Sequence, residues 1–313
     1  MPAPEIQPFA DEHLDAAAAL LAERHRRHRH AEPALPARFE DPAAAREEIE
    51  AAWRIEGASG AVAFEGGRPV GYLLGQRRED AVSPHMWSFV AGQALLDPAL
   101  TGDLYRAAAA RWVDDGLTRH FVYVPSLDDL VEPWFRLGFG ASAALAMRET
   151  EVTIPPTEGV TVRQSGLDDL GTVARLSRIL DEHLAASPSF AGLPVPTLDE
   201  AVGEWRDTWD RPDFEHFLAE RGDEAVGHVL LYRRPADLRV PTNSIDLANA
   251  ATLPSERGSG IGLALAAHAL TWAHEHGHPT MVTDWRMTNL EAARFWPRRG
   301  FRETFVRLYR SIP

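Results

Sequence analysis

The chain has 313 residues, a formal net charge of −14, 45% hydrophobic residues and no cysteine. That length is enough for two cores; the negative balance argues against nucleic acid, which needs a basic face. The absence of cysteine excludes disulfides, thiolate metal sites and a cysteine acyl-enzyme.

No apolar run reaches the roughly 18 residues needed to span a membrane. The acidic, proline-containing N-terminus does not read as a signal peptide, so a cytoplasmic protein without membrane partners is expected. All 32 basic residues are arginine, which we read as the coding bias of a GC-rich genome.

Residues 6–7 read as a first strand and residues 14–24 as a helix. The run Arg24-His25-Arg26-Arg27-His28-Arg29-His30 suggests a metal or phosphate site, but its arginines would repel a cation, and a solvated helix end is expected. A second helix follows near residues 43–53. Residues 61–74 form two apolar strands about a Gly-containing turn, a β-hairpin signal. The stretch Leu96-Asp97-Pro98-Ala99-Leu100-Thr101-Gly102-Asp103-Leu104 then leads into a helix over residues 104–115.

The second half repeats this order. At an offset of 156, Leu14 meets Leu170, Leu20 meets Leu176, Trp53 meets Trp209, Gly71 meets Gly227, and Arg77-Arg78 meets Arg233-Arg234. The offset then drifts, pairing Trp112 with Trp272 and Trp134-x-x-x-Gly138-Phe139 with Trp296-x-x-x-Gly300-Phe301, as small loop insertions would cause. We therefore expect a duplicated α/β (α+β) domain: residues 1–150, a linker at 151–157 containing Pro155-Pro156, and residues 158–313. Each copy would be a mostly antiparallel mixed sheet flanked by helices. The second copy opens with a strand at 160–163, helices at 170–183 and 198–209, and a hairpin beginning at Phe217. Trp205, Asp207, Trp209 and Asp210 could hold a cationic amine, but packing of an amphipathic helix is the default for the tryptophans.

The most informative stretch is 246–270, a strand, a glycine-rich turn and a helix over 263–276. Arg257, Gly258, Ser259, Gly260, Ile261 and Gly262 let successive backbone N–H groups point at an anion such as a pyrophosphate, and the helix adds its positive dipole end. Walker A chemistry needs a lysine, which the chain lacks, and Leu263 breaks the dinucleotide spacing begun by Gly258 and Gly260.

The pattern Thr252-x-Pro254-x-x-Arg257-Gly258-x-Gly260-Ile261-Gly262-x-x-Leu265 resembles the acetyl-CoA-binding motif of the GNAT superfamily of N-acetyltransferases. Asn289-x-x-Ala292-x-x-Phe295-Trp296-x-x-x-Gly300-Phe301 is similar to that family's C-terminal helix and following strand. The resemblance implies that Thr252, Leu253, Arg257 to Leu263, Asn289 and Trp296 bind acetyl-CoA. Opposite this loop the first copy has one glycine and two carboxylates, Asp97 and Asp103, which would repel a pyrophosphate; we read that copy as degenerate.

Acetyl transfer to an amine requires loss of a proton from an alkylammonium of pKa near ~10.4. Asp246 stands where the histone-acetyltransferase branch of the family carries its general base. Backbone N–H groups near Thr252 and Leu253 would stabilise developing charge on the carbonyl. Many relatives place a tyrosine acid where this chain has Trp296; an indole does not ionise usefully, and Tyr309 is a weak substitute. The expected activity is direct acetyl transfer to a primary amine of a small molecule or peptide. Alternatives are a non-catalytic acyl-CoA sensor or an acetyltransferase like mycothiol synthase, itself a tandem member.

Overall fold

The computed structural model describes residues 4–80, 82–151, 157–191 and 194–313; Pro155-Pro156 of the expected linker lie outside them. In chain order the elements are β1 (Glu5–Pro8), α1 (Leu14–Ala31), α2 (Pro42–Trp53), β2 (Ser59–Glu65), β3 (Arg68–Arg78), β4 (His85–Ser88), β5 (Gln93–Leu95), α3 (Thr101–Asp114), β6 (Arg119–Pro125), α4 (Asp128–Arg136) and β7 (Gly140–Glu149). There follow β8 (Thr161–Gln164), α5 (Leu170–Ala185), α6 (Leu198–Trp209), β9 (Phe214–Arg221), β10 (Glu224–Tyr232), β11 (Ile245–Thr252), α7 (Ile261–Glu275), β12 (Thr280–Arg286), α8 (Leu290–Phe295) and β13 (Arg302–Ser311). The fold is mixed α/β with a mostly antiparallel sheet flanked by helices. Among the described residues no helix is long and apolar enough to cross a membrane.

Two compact units result. One comprises Met1–Leu145, Asp237–Pro241 and Glu303–Pro313; the other comprises Ala146–Ala236 and Thr242–Arg302.

In the first unit the strands run β1-β2-β3-β4-β6-β13, with β4 and β6 parallel and β13 antiparallel to β6. Trp87, Phe121 and Tyr309 stand directly opposite one another on these three strands, and their rings pack at 4.8 and 4.7 Å. Such cross-strand aromatic pairs stabilise a sheet. Trp112 of α3 is fully buried. Room for it comes from Gly75, where a Cβ would lie 2.6 Å from the indole.

The expectation of a solvated helix end at residues 24–30 is corrected here. Helix α1 continues to Ala31, and the spacing of Leu21, His25 and His28 carries the buried stripe onward, leaving Arg24, His25 and His28 at 6%, 0% and 2% exposure. Arg24 Nη2 donates to Val90 O at 2.7 Å, and His25 Nε2 lies 2.8 Å from Pro36 O. Burial lowers His25 to about 4 and His28 to about 3, so both are neutral packing groups.

In the second unit the strand order is β8-β9-β10-β11-β12. All neighbours are antiparallel except β11 and β12, which pair in parallel over Ile245–Leu247. Beyond Leu247 and Thr283 the two strands part, so the β11 edge from Ala248 to Thr252 is not laddered to β12. Leu218 packs with Val173 and Leu176 of α5 and with Trp205 and Trp209 of α6. Gly227 marks the close pass of α7, since a Cβ there would lie 2.9 Å from Ile261 Cγ2.

Candidate active site

The parting of β11 from β12 opens a cavity of about 680 Å³ within the second unit, a size suited to a cofactor or substrate. Its walls come from β11 (Leu247, Ala250, Ala251, Thr252), the turn and first residues of α7, the α8 segment, and Ile179, Leu180 and His183 of α5.

The turn after β11 is built for backbone approach. Residues Pro254–Glu256 make a 3-10 turn, Arg257 is extended, and Gly258 and Gly260 adopt φ of +79° and +93°, conformations that disfavour any Cβ. At Gly260 a Cβ would also meet Thr157 Cγ2 at 2.7 Å. Gly260 N-caps α7 without any side-chain hydrogen bond, and the first helical bond is Ala264 N to Gly260 O. The N–H groups of Ile261, Gly262 and Leu263 therefore lack intrahelical partners and lie at the cavity wall. An uncapped, glycine-cleared helix start of this kind suits a phosphate group.

Charge in the cavity wall is organised as pairs. Arg257 Nη1 donates to Glu291 Oε1 at 2.9 Å, and Glu256 accepts from Arg221 at 2.5 Å. The Arg299 guanidinium lies over the Phe295 ring, 4.6 Å from its centroid.

Of the residues anticipated from sequence, Thr252, Arg257, Gly258, Gly260, Ile261, Gly262, Leu263, Asn289 and Trp296 are brought together around this one cavity. Three others are not. Leu253 packs against the core cluster of the second unit and its N–H donates to Val226 O at 2.9 Å. It is therefore no free donor for a carbonyl; the β10–β11 pairing continues past Thr252 and consumes it. Ser259 turns its hydroxyl back onto Glu256 O at 2.6 Å. Asp246 is outside the lining, nine-tenths buried, with Oδ2 accepting from Arg234 Nη1 at 3.0 Å.

Tyr309 belongs to the first unit, in its aromatic ladder, and not to this cavity. The tryptophans of the acidic-aromatic cluster are packing groups: Trp205 Nε1 donates to Ser177 Oγ at 2.8 Å, and Trp209 stacks on His216 at 4.6 Å.

Among the wall residues that the sequence does not mark as site residues are Glu291, Arg299 and His183. The periodicity was present, for Leu176, Ile179, Leu180 and His183 fall on one α5 stripe; nothing in sequence revealed that its lower end reaches the cavity and not the core.

At the corresponding turn of the first unit, Asp97 Oδ1 accepts from Ala99 N at 2.9 Å and Thr101 Oγ1 donates to Pro98 O at 2.8 Å. That turn carries its own carboxylate where the second unit presents bare N–H groups.

Residues 178–301 match the acetyltransferase (GNAT) family model. No curated protein matches the sequence. Among solved structures, a GCN5-related N-acetyltransferase from Sphaerobacter thermophilus aligns with TM-score 0.59 at 17% identity, over 98% of this chain and 95% of that one. A GCN5-related glucosamine N-acetyltransferase region of a fungal multi-domain GH3 β-N-acetylglucosaminidase gives 0.59 at 15%, over 98% of this chain and 38% of that chain. A tandem GNAT protein from the clavulanic acid biosynthesis pathway gives 0.53 at 12%, over 99% and 98%. At these identities the likeness is one of fold.

Proposed function

The chain carries an acetyltransferase domain of the GNAT family over residues 178–301, and from that premise we propose that it transfers an acetyl group from acetyl-CoA to a primary amine of a small molecule or peptide. The observation that carries this reading is the convergence of the uncapped α7 start, Arg257 and the unladdered β11 edge on one cavity. Acetyl-CoA, when bound, supplies the activated thioester carbonyl. This chain's residues hold the two substrates in register.

In this reading the N–H groups of Ile261, Gly262 and Leu263 and the Arg257 guanidinium hold the pyrophosphate. Backbone groups of Ala248 to Thr252 hydrogen-bond the extended arm as an added strand would. Asn289 contributes its amide, with Oδ1 engaged by Ala292 N and Nδ2 left to donate. Trp296 borders the cavity as an apolar wall. Without cysteine there is no thiol acyl-enzyme, which favours direct transfer between two bound substrates.

The first unit, with Asp97 filling its own turn, is read as a copy that no longer binds the cofactor. A second reading, an acyl-CoA sensor, is favoured by Trp296, which occupies the cavity wall with a group that cannot return a proton.

The deciding experiment is acetyl-CoA titration by calorimetry followed by thiol-release assays with polyamines, aminoglycosides, amino acids and peptides bearing a free N-terminus. Binding with amine-dependent thiol release supports the acetyltransferase; binding with no stimulation by any amine supports the sensor.

A further inference from the structure

The cavity wall contributed by α5 ends in His183, half-buried in the last turn of that helix. Its Nε2 lies 3.1 Å from Asn289 Oδ1. The same oxygen accepts from Ala292 N at 3.2 Å as the N-cap of α8, and Asn289 is only 6% exposed. Because a backbone N–H can only donate, the Asn289 atom facing His183 is the amide oxygen, an acceptor. His183 Nε2 must then carry the hydrogen, and the lone pair of the neutral ring is on Nδ1. A buried amide thus selects one tautomer and leaves Nδ1 without a hydrogen-bond partner among the described residues, in the pattern of a base oriented by a third group.

The other ionisable groups of the wall are committed elsewhere. Glu256 is paired with Arg221 and Glu291 with Arg257, while Arg257 and Arg299 have no lone pair to offer. Among the groups near His183 on its own helix, Glu182 is paired with Arg178 at 3.2 Å. Asp246 is held by Arg234 outside the lining.

We propose that His183 Nδ1 takes the proton from the incoming ammonium, with Asn289 as its positioning residue. This rests on the acetyltransferase reading above. The acceptor N–H bond breaks with its proton passing to Nδ1, and the freed nitrogen lone pair forms the bond to the thioester carbonyl carbon. As the carbon–sulfur bond breaks, its electron pair goes to sulfur. The thiolate then takes that proton from His183, directly or through water, and the ring returns to neutral; the second proton of the acylated nitrogen leaves to water, so that the neutral amide and the CoA thiol form with one proton released. The acceptor class is accordingly a primary amine that arrives charged.

The test uses His183→Gln, which can still donate to Asn289 Oδ1 but has no titrating lone pair, beside Asp246→Asn. Long-range ¹H–¹⁵N NMR of the full chain without ligands should show His183 as the Nε2–H tautomer; an Nδ1–H ring would overturn the assignment. Calorimetry with CoA should give His183→Gln an affinity within about threefold of the parent. With a polyamine, an aminoglycoside and a peptide bearing a free N-terminus as probes, kcat should fall by roughly 10²–10⁴-fold at neutral pH, and the loss should shrink at high pH as the amine arrives uncharged.

Normal kcat in His183→Gln with a collapse in Asp246→Asn would move the base to Asp246 and sink this proposal. A parent protein that binds CoA but acetylates none of the probes removes the acetyltransferase reading itself, and the proton-acceptor role with it.

Discussion

The Arg257–Glu291 pair makes a prediction that separates a phosphate-binding arginine from a structural one. With side chains 36% and 56% exposed and the nitrogen 2.9 Å from the oxygen, the pair is a solvated ion pair, worth about 0.2–1 kcal/mol. If Arg257 must leave Glu291 to meet a pyrophosphate, that energy is lost on binding. Glu291→Gln should then tighten CoA binding by roughly 1.5- to 5-fold, the equilibrium equivalent of that range. Arg257→Ala should weaken binding by about 10-fold or more, the loss of a charge-assisted contact of about 1.5–3 kcal/mol. In the Arg257→Ala background most of the gain from Glu291→Gln should disappear, because the released partner is gone. Calorimetric titration of CoA into the four proteins at one ionic strength measures all of this. Equal or weaker binding by Glu291→Gln in the parent background would refute the idea that Glu291 competes with the ligand for Arg257.

Three further outcomes are expected. Gly260→Ala places a Cβ at φ +93° and 2.7 Å from Thr157 Cγ2, so it should distort the turn at a cost of about 1–2 kcal/mol from backbone conformation alone and lower CoA affinity at least tenfold; unchanged affinity in calorimetry would show that the turn does not hold the phosphates. Calorimetry of the parent should give one CoA per chain, because Asp97 caps the equivalent turn of the first unit; two equivalent sites per chain would disprove the reading of that unit. Burial lowers His228 to about 3 and His216 to about 4, so the unfolded chain gains protons near pH 6.5 that the folded chain refuses until well below. Stability present above pH 6.5 should thus be lost on acidification by about 1.4 kcal/mol per pH unit for each such histidine, and His228→Leu should flatten the pH 6 to 5 slope of urea unfolding by that amount; parallel slopes would count against burial of a neutral ring.

Much of the site is a local property of the chain. Gly258 and Gly260 adopt the left-handed backbone that their lack of a side chain permits, Pro254 opens a turn, and Asn289 caps α8, because each of these depends on a residue and its immediate neighbours. The helix and hairpin order is legible for the same reason: hydrophobic period and turn residues are short-range signals. The matched spacing of Trp134, Gly138 and Phe139 with Trp296, Gly300 and Phe301 is likewise legible in the sequence.

Tertiary structure decided what short-range signals do not contain. That the strand ending the chain joins the first unit follows from its pairing with β6, and a repeat carries no information on which strand an edge will accept. Whether Leu253 N–H was free depended on how far β10 stayed paired with β11. Arg24, His25 and His28 look solvated by composition, yet α1 runs long enough to carry them into the core, where Arg24 and His25 meet the carbonyls of Val90 and Pro36. His183 and Asn289 are far apart in the chain and meet because α5 and α8 border the same gap between parting strands. That contact fixes the orientation of a ring which, on its helix alone, is one more position on an amphipathic stripe.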